Sequence, residues 1–240
     1  MSDFDIGFVI FPGITQLDFT GPFEVLSRLG TPPSISVPSK YTQSRTHVVA
    51  KTMLPVLSDR GLSVMPTCTF HSCPPLHLIC LPGGAGVVEA LADVETVDFI
   101  RRQGENAEYV TSVCMGAFLL GAAGLLKGRR AATHWAYVDL LPLVGASHEK
   151  ARVVRDGNVF TAGGVTSGID FAFRIVAELA GPEVAQAIQL GIEYDPTSPF
   201  DAGHPDKAPE AAMTLMVQRN QRAHTGIQQE LEKLAIIGKL

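Results

Sequence analysis

The chain has 240 residues, 46% of them hydrophobic and only 18% charged, with a formal net charge of −5. That length and apolar content fit one large α/β domain, or such a domain with a helical appendage. The acidic balance and the lack of a Lys/Arg run argue against nucleic acid or an anionic membrane surface as partner.

The first residues run into a strand with no basic stretch, so no signal peptide is expected. No apolar run approaches the length of a membrane span. Four cysteines in a chain of this size do not make a disulfide scaffold, so a cytoplasmic protein with reduced thiols is expected.

Residues 5–11 (D-I-G-F-V-I-F) read as a first strand buried on both faces, Pro12-Gly13 as a turn, and residues 23–29 as a helix. Asp18 falls just past the carboxyl end of that strand. It is either the cap of the helix or an acid/base group facing a nucleophile. Phe19, Phe23 and Leu26 recur at helical spacing and make one apolar stripe. Residues 31–40 hold three prolines and read as a loop with a short edge strand. Residues 46–53 read as a strand, and residues 55–67 as a β-ribbon around Gly61.

Residues 76–81 (L-H-L-I-C-L) read as the next core strand, ending in Pro82-Gly83-Gly84-Ala85-Gly86. Glycines there let the backbone turn sharply and aim N–H groups at a ligand. Neither G-x-x-x-x-G-K-[ST] nor G-x-G-x-x-G is present, so a small anion or oxyanion pocket is expected rather than a phosphate loop. Cys68, His71, Cys73, His77 and Cys80 lie close in sequence. They lack a C-x-x-C pair, and Cys80 alternates into a buried strand, so no metal site is expected.

Residues 94–106 read as an amphipathic helix with Arg101 and Arg102 outward. It leads to the stretch that organises the chain, residues 108–124 (E-Y-V-T-S-V-C-M-G-A-F-L-L-G-A-A-G). Residues 109–113 read as a buried parallel strand, Cys114-Met115-Gly116 as a break, and residues 117–123 as a helix packed by small residues. A cysteine on that turn projects at the carboxyl end of the sheet, where open α/β sheets bind ligands. The arrangement is that of a nucleophile elbow. The helix N-terminus is expected to favour the thiolate and lower its pKa. The alternative is an inert buried cysteine.

His134 lies twenty residues after Cys114, next to the only tryptophan, Trp135. It is either a structural histidine or one that faces the site. Residues 152–155 and 158–162 read as a hairpin about Asp156-Gly157. Gly163-Gly164 then leads through Val165 into a helix over residues 169–180. That entry is either a mobile lip of the site or a plain strand–helix turn. Gly181-Pro182 ends the helix, and residues 183–192 form another. Residues 194–209 are a proline- and aspartate-rich strap. Residues 210–240 read as one long helical segment with a break near Thr225-Gly226 and an apolar side at Met213, Met216 and Val217. The expected division is an α/β domain over residues 1–209 and a helical extension over residues 210–240.

The phrases Q-L-D-F-T-G-P, L-P-G-G-A-G, T-S-V-C-M-G, A-A-T-H-W and T-S-G-I-D, in that order and with R-V-V-R-D-G-N, resemble the PfpI-like superfamily. Within it the similarity is to the isonitrile (isocyanide) hydratases, over roughly residues 6–209. The resemblance implies a class I glutamine amidotransferase-like fold, that is, an α/β flavodoxin-like three-layer sandwich with a mainly parallel sheet. It implies a carbon–nitrogen lyase that hydrates an isonitrile to an N-formamide through a covalent cysteine thioimidate, with no cofactor and no metal. Carried over residue by residue, the nucleophile matches Cys114 and the acid/base carboxylate matches Asp18. Gly84 borders the pocket, the lip matches Gly163 to Val165, and Met115 and His134 are taken with them as substrate-binding. The chain departs from that group after the nucleophile, where the hydratases carry threonine and this chain has Met115, which cannot donate a hydrogen bond. A homodimer is expected: the amphipathic tail from Glu210 needs a partner surface, the Phe19, Phe23 and Leu26 stripe offers a second face, and in the proteins the chain resembles the N-terminal helix packs near the twofold axis. Two other readings belong to the same superfamily. One is a sensor domain of the AraC-associated type, which would call for a basic DNA-binding module. The other is a glyoxal-scavenging stress protein, whose usual glutamate would here be Asp18.

Overall fold

The short apolar runs pair into one seven-stranded sheet in the computed structural model, which describes residues 2–29 and 41–238. In chain order the elements are β1 (Ser2–Val9), α1 (Gln16–Leu26), β2 (Tyr41–Ala50), β3 (Val56–Leu57), β4 (Ser63–Val64), β5 (Cys68–Thr69) and β6 (Leu78–Leu81). Then follow α2 (Val87–Ala92), α3 (Val94–Gly104), β7 (Tyr109–Val113), α4 (Gly116–Ala122), β8 (Arg130–Ala131) and a 3-10 helix (Trp135–Val144). The remainder is β9 (Ser147–His148), β10 (Val153–Asp156), β11 (Val159–Ala162), α5 (Ser167–Ala180), α6 (Pro182–Gly191) and α7 (Glu210–Ile236).

The sheet order is β10-β11-β7-β6-β1-β2-β5. Every neighbouring pair is parallel except β10 with β11. From β1 the chain moves to β2 on one side and later to β6 on the other, so the order reverses at β1/β6. Crevices at such points take ligands at the carboxyl ends of the strands. A parallel sheet is covered on both faces and needs apolar residues on both. The strands β6 and β11 are accordingly buried along their whole length. On one side α1 packs on α5 and α5 on α6; α2, α3, α4 and α7 pack together on the other. The result is the expected three-layer, flavodoxin-like arrangement with a mainly parallel sheet.

Several elements depart from the sequence reading. The first helix begins at Gln16, not at residue 23, and carries Pro22 inside it. Proline is a poor interior residue for a helix, and here tertiary packing overrides that preference. Gly21 lies against Ile169 and Pro22 against Gly168, so α1 and α5 approach closely at the would-be break. The long helix α7 is continuous through Gly226, which sits against Val88 of α2. Its buried residues are Ile227 and Leu231, whereas Val217 is exposed. The tail therefore packs through its C-terminal half on this chain's own helices. The residues 31–40 expected to form a loop lie outside those described.

The stripe on α1 also faces inward. Phe19 and Leu26 are buried. The Phe8 ring of β1 meets Phe19 at 5.8 Å and Phe23 at 5.2 Å between centroids, and Phe19 meets Phe23 at 5.4 Å. As a motive for a dimer face the stripe fails, because its partner is the chain's own sheet. Truncating the centre of this cluster with Phe8→Ala is expected to cost roughly 3–5 kcal/mol in chemical denaturation. A loss under about 1 kcal/mol would contradict the packing described.

Candidate active site

The carboxyl ends of β1, β6, β7 and β11 converge on Cys114. Its backbone is left-handed, with φ 56°, a conformation that costs a residue bearing a Cβ roughly 1–2 kcal/mol. Three contacts hold it there. The Cys114 N–H donates to the carbonyls of Ala162 (3.1 Å) and Gly163 (2.9 Å) at the end of β11. The Thr133 hydroxyl donates to the Cys114 carbonyl at 2.7 Å. This is the geometry of a strand–turn–helix elbow, with Met115 preceding α4.

Asp18 lies in the first turn of α1 and is fully buried. It is not the helix cap; Thr15 occupies that position. The Gly83 N–H donates to Asp18 Oδ2 at 2.9 Å. Gly83 is what allows the two groups to meet: a Cβ there would stand 2.9 Å from Asp18 Oδ2, 3.0 Å from Cys114 Cβ and 2.6 Å from the Met115 nitrogen. Gly84, the expected pocket residue, instead braces the turn between β1 and α1. Its φ is +124°, and a Cβ would fall 2.3 Å from the Thr15 nitrogen and 2.4 Å from the Gly13 carbonyl oxygen.

The Cys114 thiol and the Asp18 carboxyl come together across Gly83, and each raises the cost of the other's charge. Asp18 Oδ1 is buried without a partner. Burial pushes the Asp18 carboxyl up to about 7, against the opposing pull of the Gly83 N–H and the Cys114 thiol; the charge of Asp59 adds to the rise. Asp59 reaches this region from the ribbon, its Oδ2 taking a hydrogen bond from Thr15 Oγ1 at 2.9 Å. Burial and the charge of Asp18 push the Cys114 thiol well above its ordinary range. The expectation of a lowered thiol pKa is thus corrected. The Met115 N–H does favour the thiolate, but one backbone donor does not offset removal from water beside a carboxylate. Two such groups titrate as a pair that retains one proton well above neutrality.

The other expected site residues line up around the elbow to different degrees. Met115 is buried beside Cys114. Gly163 touches the elbow through the bond to Cys114 already given, while Val165 is half-buried at the entry to α5. His134 lies against the lip, its ring carbon 3.2 Å from where a Gly164 Cβ would be. Its Nδ1 accepts the Ala136 N–H at 3.2 Å, which leaves the proton on Nε2. Burial lowers its pKa to about 4, so it is neutral. Gly83, Thr133 and Tyr137 were not singled out from the sequence. Gly83 and Thr133 stood inside motifs that were noticed, and Tyr137 lies two residues beyond the second of them. Among the described residues no three His, Cys, Asp or Glu side chains converge on a metal position. A groove of about 730 Å³ lined by Pro12, Gly13, Lys51, Ala85 and Gly86 runs behind the glycine loop, and neither Asp18 nor Cys114 lines it.

A model of the DJ-1/PfpI family matches residues 5–178. The isonitrile hydratase of Pseudomonas putida is 54% identical over 208 residues, covering 87% of this chain and 86% of that protein. The crystal structure of a THiJ/PfpI family protein from Pseudomonas syringae superposes with a TM-score of 0.88 at 39% identity, over 96% of this chain and 91% of that one. The HTH-type transcriptional regulator CdhR of Pseudomonas aeruginosa is 26% identical over 187 residues, and the match spans 52% of its length.

The buried carboxyl has a consequence for stability. With its pKa raised from 3.8 to about 7, Asp18 keeps a proton in the folded state that the unfolded chain has released. Stability is therefore lost as pH rises through that window, and the cost is complete above it. Asp18→Asn removes the titrating group while keeping an acceptor for the Gly83 N–H. The variant is expected to gain stability over the parent at pH 8, on the order of a few kcal/mol, and much less at pH 4. Equal gains at both pH values, read by thermal melting, would contradict the raised pKa.

Proposed function

The chain belongs to the DJ-1/PfpI family, and from that premise we propose that it is an isonitrile hydratase that uses Cys114 and Asp18. The observation that carries the mechanism is the burial of Asp18 and Cys114 side by side against Gly83, an arrangement that favours one proton for the two groups. Moving that proton from sulfur to carboxylate yields a thiolate beside a carboxylic acid, with no net charge added to the interior. The thiolate attacks the terminal carbon of the isonitrile. Asp18 protonates that carbon as the C–S bond forms, giving a thioimidate and an Asp18 carboxylate. The carboxylate then takes a proton from water as its oxygen adds to the thioimidate carbon. Collapse of the tetrahedral species breaks the C–S bond and releases the formamide. The chemistry calls for no cofactor.

Met115 and the lip from Gly163 to Val165 bound the substituent, and His134 supplies a neutral wall next to that lip. Gly84 acts one step back, by fixing the turn that carries Asp18. Because Met115 offers no hydroxyl, any hydrogen bond to the substrate must come from another residue. Residues 1–209 are read as the catalytic α/β domain and residues 210–240 as a helical extension laid on it, in line with the packing of α7 on α2. Among the described residues no helix is long and apolar enough to cross a membrane; we read the protein as cytoplasmic, a reading supported by its four free cysteines.

A homodimer remains part of the proposal, through a different face from the α1 stripe. Met53, Leu54, Leu57, Leu62 and Met65 are exposed on and beside the ribbon of β3 and β4. That ribbon is tied to the start of α1: the Gly13 N–H donates to the Leu57 carbonyl and the Asp59 N–H to the Ile14 carbonyl. Clustered large apolar side chains on a monomer surface mark contact sites. Such a contact would set the Asp18 turn beside the partner.

Two outcomes are expected. With phenyl isonitrile the purified protein releases N-phenylformamide, and Cys114→Ala releases none; full turnover by Cys114→Ala would end the mechanism. In sedimentation at micromolar concentration the parent runs as a dimer and Leu54→Asp shifts it toward monomer, because a charge buried at such a face is expensive. A parent of monomer mass with full activity would remove the dimer.

A further inference from the structure

The reaction above leaves one proton unassigned. When water adds to the thioimidate, the C=N electron pair moves onto nitrogen, and that nitrogen must be protonated at once. Asp18 is then receiving the proton of water, so it cannot serve both atoms in the same step. A second donor on the nitrogen side is required.

Tyr137 meets the requirement. It lies on the 3-10 helix directly after the segment that Thr133 anchors to the Cys114 carbonyl, and it is 2% exposed. Its N–H donates to the His134 carbonyl at 3.0 Å, and the two rings are 5.6 Å apart, on the side of the lip. Its hydroxyl donates to Asn220 Oδ1 of α7 across a long 3.3 Å bond, a proton held weakly enough to be redirected. The Asn220 Nδ2 is buried with no partner at all. An unpartnered buried amide is costly. Burial, then the charge of Cys114, pushes the Tyr137 phenol up to about 12, so it keeps its proton at working pH.

We propose that Tyr137, aimed by Asn220, is the general acid for the substrate nitrogen. This rests on the hydratase reading. As water adds, its proton passes to Asp18, its oxygen bonds the thioimidate carbon, and the nitrogen takes the Tyr137 proton. The adduct's hydroxyl then returns a proton to the Tyr137 phenolate while the C–S bond breaks. The formamide leaves, and Cys114 thiolate, protonated Asp18 and neutral Tyr137 are restored. Asn220 is a positioning residue. It gives the tail helix a part in the chemistry.

The experiment follows phenyl isonitrile with wild type, Tyr137→Phe and Asn220→Ala, reading formamide release and, by intact mass, the adduct on Cys114. General acid catalysis is worth about 10²–10⁴-fold. Tyr137→Phe is expected to lose at least about 100-fold in kcat and to accumulate an adduct of one isonitrile mass, because attack by sulfur still proceeds. Its melting temperature and its rate of Cys114 alkylation should match wild type, which separates the chemistry from damage to the fold. Asn220→Ala should show the same adduct at a smaller loss, and it stands in if Tyr137→Phe does not fold. Turnover by Tyr137→Phe within about 3-fold of wild type, or loss of turnover with no adduct, would overturn the proposal. So would an adduct that builds up in His134→Ala but not in Tyr137→Phe. A wild type with neither turnover nor adduct would overturn the hydratase reading itself, and this proposal with it.

Discussion

Asp18 and Cys114 are both removed from water, and each makes the other's charge more expensive. Among the described residues no cation relieves either; the causes acting on them are burial, each other, Asp59 and two backbone N–H groups. The cheapest arrangement retains one proton for two acids. That constraint makes the sulfur a weak acid and the carboxyl a strong base for a carboxyl. It also means that a thiolate forms only when Asp18 takes the proton, which is the form ready to protonate carbon. The same pairing that costs stability sets up the first chemical step.

The fold supplies what such a pair needs. The elbow, the glycine turn after β6 and the first turn of α1 come from three strands that are neighbours in the sheet, β7, β6 and β1. Parallel strands bring all three carboxyl ends to one rim, and the reversal of strand order at β1/β6 opens room between them. Gly83 lets the backbone come close enough for its N–H to hold Asp18. Strain at Cys114 and an unpartnered Asp18 oxygen are tolerated because the surrounding core, from Phe8 and Val9 to Phe118 and Leu119, is buried without exposure. Thr133 then holds the Cys114 carbonyl, and Tyr137, four residues on, is bonded to Asn220 of α7.

Most of the framework was legible in the sequence, because parallel strands and an elbow leave local marks. Apolar runs of four to six residues, the Cys-Met-Gly break and the Asp-Gly hairpin each have a short-range cause. The start of α1 was not legible: Gly21-Pro22 reads as punctuation, and only close packing on α5 explains its place inside a helix. The stripe of Phe19, Phe23 and Leu26 was found correctly, but periodicity tells which residues share a face and not which surface covers it. The 3-10 helix at Trp135–Val144 has no helical period to announce it. Tyr137 and Asn220 are 83 positions apart, so nothing local links them. The raised thiol pKa was missed for the same reason, since a helix N-terminus is visible in sequence while desolvation is a property of the assembled core.

The shared proton can be observed directly through the reactivity of Cys114. Iodoacetamide is small and uncharged, and peptide mapping separates Cys114 from Cys68, Cys73 and Cys80. The alkylation rate of Cys114 is followed from pH 5 to pH 10 in the parent and in Asp18→Asn. In the parent the rate should step up near the Asp18 midpoint of about 7, where the pair loses its first proton and a fraction of the remaining anion resides on sulfur. In Asp18→Asn that step should vanish, and reactivity should rise only in the range of a lone buried thiol. The same midpoint in both proteins would contradict the shared proton and, with it, the assignment of Asp18 as the acid.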